Sequence, residues 1–175
     1  MGDRTNTVAG NIISASMEGT RAILLEIQAL VTRTNFGFPR RMVSGYDLNR
    51  VIIIIAVLEK RMGLPLDSQD IFVNVAGGIK IKETSADLAI ACAIASANRG
   101  FVCPADTIVF GEIGLSGEVR PISQVKERLA EAEKLGFKKA IVPKRNLKNL
   151  EYKGLIKIIG VDNVHSAIES IKLMN

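Results

Sequence analysis

The sequence predicts an α/β fold, α+β in the looser sense, with mixed sheets and about four helices. Three observations predict it. Apolar residues recur at period two in some segments and at helical spacing in others; the two kinds alternate along the chain; and no repeat or low-complexity linker interrupts them. A chain of 175 residues with 47% hydrophobic content can bury one good core, so one compact domain is expected over residues 10–175, with residues 1–9 as a disordered or linker segment.

The opening segments "GNIISASMEG" and "AILLEIQALVTRT" alternate as strands, with Gly19 at the turn between them. "NFGFPRRMVSGYD", rich in glycine, proline and arginine, reads as a loop. "DLNRVIIIIAVLEKRMG" holds an isoleucine run that could pass for a strand. Its length favours a buried helix, with Asp47 as N-cap, Lys60 and Arg61 in the last turn, and Gly63 as the stop. "DIFVNVAGG" is a strand that ends in glycines. "TSADLAIACAIASANRG" is an apolar helix closed by Asn98 and Gly100. "DTIVFGEIGLSGEVRPI" reads as two strands, 107–113 and 118–122, joined by a glycine turn. Ser123 caps the amphipathic helix "SQVKERLAEAEKLG", stopped by Gly136. The strands "KAIVP" and "LIKIIG" and the helix "NVHSAIESIKLM" complete the chain.

No apolar run is long enough for a membrane span, and the amino terminus lacks a signal-peptide layout, so a cytoplasmic setting is expected. Cys92, Cys103 and His165 cannot supply a tetrahedral zinc site, and no metal is expected. The formal charge of +5 is unevenly spread. Arg33, Arg40, Arg41, Arg50, Lys60 and Arg61 face only Asp47 and Glu59 between residues 33 and 61, and a second excess, mostly lysine, runs through "KLGFKKAIVPKRNLKNLEYKG". Such a surface can meet an anionic polymer, or it can be an ordinary solvated face.

Nucleotide motifs fail on inspection. There is no GxxxxGK[ST], and the glycines of "GEIGLSGE" lead into a strand rather than a helix. Ser85 in "KETSADLAIA" stands where a helix begins. Thr84 and Asp87 have the spacing of a capping box, with the carboxylate suited to the helix dipole. As a nucleophile Ser85 would need a base. His165 is eighty residues away, which leaves Lys126, in the first turn of its helix, where the dipole disfavours the ammonium form.

"DIFVNVAGG", "SADLAIACAIAS" and "GEIGLSGEVRPISQVKERLAEAEKLGFKKAIVP" resemble the proteolytic domain of the Lon proteases. Matching Gly111, Glu112, Gly117 and Pro121 to that family places Lys126 on the lysine of its Ser–Lys dyad, and Ser85 falls on the serine. "SASMEGTRAILLEIQALV", "FGFPRRMVSGYDLNRV", "AVLEKRMGL" and "VAGGIKI" narrow the resemblance to the C-terminal Lon-like domain of the RadA (Sms) family of bacterial DNA repair and recombination proteins, over residues 10–173.

The resemblance implies a Lon protease-like fold and a noncatalytic domain whose dyad positions, Ser85 and Lys126, are vestigial. Thr84 stands where Lon has proline and Asp87 where it has glycine, and a carboxylate at 87 is expected to ion-pair with Lys126 and keep it protonated. It implies no cofactor in this chain, with ATP and zinc confined to the N-terminal domains of a longer parent. It implies a homo-oligomer, a hexameric ring in the parent, and sequence-independent contact with single- or double-stranded DNA. Arg21, Arg40, Arg41, Arg50, Lys80 and Arg120 lie near element ends and are the candidates for that contact, whereas Phe36 and Phe38 are expected in the core. Two rival readings are an active Ser–Lys peptidase using Ser85 and Lys126, and an assembly module that binds neither DNA nor peptide.

Overall fold

The computed structural model describes residues 8–35 and 37–175. The expected segment 1–9 therefore lies, up to residue 7, outside the described residues, as does Phe36. Nine strands and four helices are present among the described residues. β1 (Asn11–Glu18) and β2 (Arg21–Arg33) form a hairpin, with Ile12 opposite Ile27 and Ala15 opposite Leu24. β3 (Arg41–Ser44) leads into α1 (Leu48–Met62). β4 (Gln69–Val75) pairs antiparallel with β2 and parallel with β3.

α2 (Asp87–Arg99) follows a 3-10 turn at Thr84–Ala86. β5 (Thr107–Val109) comes next, then a two-stranded ribbon of β6 (Glu112–Ile113) and β7 (Val119–Arg120). α3 (Val125–Lys134), β8 (Lys139–Pro143), β9 (Lys157–Val161) and α4 (Val164–Lys172) close the chain. The main sheet has seven strands in the order β3-β4-β2-β1-β5-β8-β9. Its centre is antiparallel, and its two flanks are parallel. The α/β class and the four helices agree with the sequence reading.

Alternation along the strands sorts the core into two layers. Ile12, Leu25, Ile27, Val73 and Val75 face α1, α2 and α4 in the larger cluster. Ala15, Ile108, Phe110 and Val142 face α3, through its Val125, Leu129 and Ala132, in the smaller one. α1 buries Val51, Ile54, Ile55, Val57 and Leu58, so the isoleucine run is helical because its stripe meets the core at helical spacing. Asp47 caps it by accepting from the Asn49 N–H, and Gly63 closes it at φ 65°.

Three local expectations are corrected. Within the predicted loop 35–47, residues 41–44 form β3: Val43 packs on the core, and β4 supplies a parallel template that the flanking glycines and arginines hide in the sequence. The expected strand 107–113 breaks at Gly111, where a Cβ would lie 2.9 Å from Val119 Cγ1; the Gly111 N–H donates instead to the Ser85 carbonyl at 2.8 Å, and its own carbonyl accepts from Leu88 N at 3.0 Å. Ser123 is not the cap of α3. Gln124 enters that helix at φ 58° without a side-chain cap, and the Ser123 carbonyl accepts from Arg128 Nε at 3.0 Å.

Candidate functional site

Gly111 ties β5 to the turn that carries Ser85, so the head of α2 is seated between the main sheet and the β6–β7 ribbon. Ser85 is buried there, and its hydroxyl donates to Glu83 Oε1 at 2.7 Å. The same hydroxyl accepts from Arg128 Nη1 at 3.0 Å. Arg128 is 0% exposed and has a partner for each of its three nitrogens. Nη1 also donates to the Ala15 carbonyl at 2.7 Å and to Glu83 Oε1 at 2.8 Å, Nη2 to Glu83 Oε2 at 3.1 Å, and Nε to the Ser123 carbonyl. Burial opposes ionisation of Glu83, but Arg128, Ser85 and the Met17 N–H outweigh it and hold the carboxyl below its ordinary range.

Lys126 is not part of this cluster. It is exposed, and it borders an outer depression with Ile122, Asn146 and Leu150. Two residues along a helix turn the side chain by about 200°. Arg128 therefore points at Ser85 while Lys126 points away, and the two dyad positions are not brought together. The buried stripe of α3 is Val125, Arg128, Leu129 and Ala132, at i, i+3, i+4 and i+7. That spacing was the signal in the sequence for Arg128, and Lys126 stands off it. A carboxylate pinned by an arginine and held below its ordinary range is also a poor acceptor for a serine proton.

Asp87 does not pair with Lys126 either, and no capping box forms. Ala86 is the N-cap of α2 and has no side-chain bond. Thr84 Oγ1 donates to Glu112 Oε1 at 2.5 Å. Asp87 turns inward, where it accepts from Tyr46 Oη at 2.7 Å, from the Ile113 N–H at 3.1 Å and from Arg50 Nη2. Burial pushes the Asp87 carboxyl up, against the pull of these three donors, and burial beside Asp87 pushes the Tyr46 phenol up. The cluster fastens α1 to α2 and to the ribbon, because Arg50 Nη2 also donates to the Ile113 carbonyl at 3.0 Å.

The six basic candidates do not gather at one place. Arg21 opens β2 and Arg40 follows its far end, roughly 40 Å away at about 3.3 Å per residue. Arg21 is exposed but shares its groove with Glu127, Glu131 and Glu133. Arg40 pairs with Asp70 at 3.2 Å, yet its side chain stays 67% exposed. Arg41 donates to the Leu66 and Gln69 carbonyls, and Arg50 is committed to Asp87 and Ile113. These two are corrected to structural roles: the bonds hold both guanidinium groups against the protein, with Arg41 also 3.9 Å from Glu59 Oε1, although the buried Arg50 Nε has no hydrogen-bond partner. Lys80 is exposed, and Arg120 is exposed beside Glu118 at 3.3 Å. Phe38 is corrected as well. Next to Gly37 at φ 70° the loop turns outward, and Phe38 is 93% exposed rather than in the core.

A basic surface that the candidates missed flanks the edge strand β9. Lys139 lies opposite Lys157 in the ladder, Lys138 precedes them, and Lys144, Arg145, Lys148 and Lys153 lie in the β8–β9 connection. Among these described residues Lys144 alone has a carboxylate partner, Asp162 at 3.8 Å.

Residues 31–146 match the family described as subunit ChlI of Mg-chelatase. The chain belongs to that family. It is also 50% identical, over 95% of its length, to the DNA repair protein RadA of Halalkalibacterium halodurans, and 51% identical over 96% to that of Bacillus subtilis. The RadA of Synechocystis is 46% identical over 96% of the chain. The chain spans only about a third of these relatives, 36%, 37% and 33% of their lengths. The relation to RadA read from the sequence stands, but the matching family model is that of ChlI, not of the Lon proteolytic domain.

The ChlI match overturns two expectations: that this chain is no enzyme, its site degenerate and its ATPase absent, and that it has no cofactor of its own. Two thirds of the chain falls in a family named for an enzyme subunit, so neither absence is assigned to it. Where a nucleotide would sit is not marked by a phosphate loop among the described residues. Gly111, Gly114 and Gly117 lead into β7 rather than a helix. Among the described residues no helix is long and apolar enough to cross a membrane, and no cluster of His, Cys, Asp or Glu has the makeup of a metal site.

Proposed function

We propose that this chain serves DNA repair as part of a RadA-like protein, presenting a basic surface to DNA phosphates and assembling with further copies of itself, a ring being the expected form. The observation that carries the DNA reading is the β8–β9 edge, where seven lysine and arginine side chains crowd one strand pair and a single ion pair offsets them. Uncompensated lysines on an edge attract a polyanion through counterion release, without reading its sequence. The exposed candidates Arg21, Arg40, Lys80 and Arg120 stand as separate candidate contacts, Arg40 at the opposite end of the sheet beside β3 and β4, whereas Arg41 and Arg50 are committed to internal partners.

Assembly is supported by Leu48 and Ile52, exposed at i, i+4 on α1, with Leu115 exposed in the ribbon turn. The RadA name of the relatives supplies the DNA context. A Lon-like origin of the scaffold is supported by the place of Ser85 at the head of α2, but with Arg128 where a dyad needs its lysine the geometry does not favour a peptidase.

Fluorescence anisotropy with single-stranded and duplex oligonucleotides at low salt tests the DNA reading. The triple change Lys148→Glu, Lys153→Glu and Lys157→Glu should weaken both by more than tenfold while thermal stability is kept. Equal binding by this variant and the unaltered protein would sink the proposal. Sedimentation velocity tests assembly: a monomer at every accessible concentration contradicts it.

A further inference from the structure

α4 turns one mixed face toward the ends of α1 and α2. His165, Ile168, Glu169 and Lys172 stand at i, i+3, i+4 and i+7 along it, so they share that face. Ala95 and Arg99, one turn apart at the end of α2, line the same recess. Leu64 reaches it because Gly63 turns the chain at φ 65°, and the Leu64 N–H donates back to the Leu58 carbonyl at 3.2 Å. The recess between the three elements holds about 160 Å³. Leu64, Ala95 and Ile168 are buried and form its floor, whereas Arg99, His165 and Lys172 are exposed at its rim.

The charges at the rim do not cancel. Lys172 Nζ lies 3.6 Å from Glu169 Oε1 and over the Phe101 ring, 5.6 Å from its centroid, so that cation is already partnered. The side chains of Arg99 and His165 have no hydrogen bond or ion pair among the described residues. The carbonyl end of α2 accounts for a cation at Arg99, in the last turn of that helix. It does not account for His165, in the first turn of α4, where the dipole gives a cation no benefit. Nor does it account for two sets of open donors beside an apolar floor.

Size, charge and floor together select the occupant. Pockets for drug-sized ligands begin at about 300 Å³, and this recess has roughly half of that, too little for a nucleotide. An unpartnered guanidinium presents a planar fork that matches a carboxylate. The buried apolar floor disfavours a bare hydrated ion and favours a ligand that brings carbon to it. Glu169 at the rim opposes a second negative charge, which sets a monoanion above a dianion. We infer that this recess binds a small organic monocarboxylate, its carboxylate on Arg99 with His165 as a second donor, and its short apolar chain on Leu64, Ala95 and Ile168. The site is independent of the DNA reading above and makes no use of the lysine edge.

Hexanoate is the probe, followed through the backbone amide NMR shifts of the isotope-labelled protein, with hexan-1-ol and inorganic phosphate as controls. Hexanoate should move the signals of Ala95, Arg99, Ile168 and Lys172 and saturate them. Hexan-1-ol, which lacks the charge, and phosphate, which lacks the chain, should each bind roughly tenfold more weakly. Arg99→Gln alters an exposed side chain, so the fold should persist, which a melting curve verifies, and hexanoate affinity should fall by roughly tenfold. The inference is overturned if hexanoate moves none of these signals at concentrations on the order of tens of millimolar. Hexan-1-ol binding as well as hexanoate would overturn it by reducing the recess to an apolar hole, and phosphate binding as well would reduce it to surface charge. Hexanoate affinity unchanged in Arg99→Gln would overturn it too, because the arginine would then select nothing.

Discussion

Arg128→Met is the change that best exposes how the head of α2 is held. The guanidinium has no exposure, and it ties two backbone carbonyls, one serine and both oxygens of Glu83 into one knot. Methionine fills similar space but leaves the Ala15 and Ser123 carbonyls short of a donor and Glu83 short of its cation. Breaking a buried pair on one side costs about 3–5 kcal/mol. Glu83 keeps its Ser85 and Met17 donors and is 29% exposed, so the lower end applies, about 3 kcal/mol. With a urea slope of about 2 kcal/mol/M, the unfolding midpoint followed by circular dichroism should fall by roughly 1.5 M. Combining it with Glu83→Gln should cost less than the two single changes together, because the unpaired charge is then gone. A single-variant loss below about 1 kcal/mol, or strict additivity, would refute the claim that this pair organises the site.

Other outcomes follow from the same geometry. Ser85→Ala should cost about 1 kcal/mol in urea unfolding, since Arg128 and Glu83 still hold each other, whereas Lys126→Ala should leave stability within about 0.5 kcal/mol. Tyr46→Phe removes a donor from the fully buried Asp87 and should cost about 1–3 kcal/mol by the same assay. Glu83 is held below its ordinary value of 4.5, so its contribution is complete above that pH and is lost as pH falls through the lower folded-state value. Acid titration of stability should therefore show a loss beginning near pH 4.5 that is shallower in Glu83→Gln.

The chain's own pattern carried most of the fold. Asp47 and Gly63 bracketed α1, and Gly19 marked the β1–β2 turn, because caps and turns leave residue-level signatures. β3 left none. Its four residues are held in a strand by β4, a partner distant in sequence. The break at Gly111 was hidden for a similar reason, since it depends on Val119 and on the Ser85 carbonyl rather than on its neighbours in the chain. Ser85 was placed correctly at the head of a helix, but its partners were not. Local spacing suggested Thr84 and Asp87 as a cap, whereas three-dimensional charge pairing sent Asp87 to Arg50 and Ser85 to Glu83. Reading the α3 stripe strictly would have exchanged Lys126 for Arg128, an arginine on an apolar face.

The DNA reading makes a quantitative demand on salt dependence. Each lysine that meets a phosphate contributes about 0.7–0.9 to the slope of log affinity against log salt. Neutralising Lys139, Lys148, Lys153 and Lys157 to glutamine should then flatten that slope by roughly 3 units, for single strands and duplexes alike. A slope that stays where it was after all four are removed would contradict the assignment of the β9 edge to DNA.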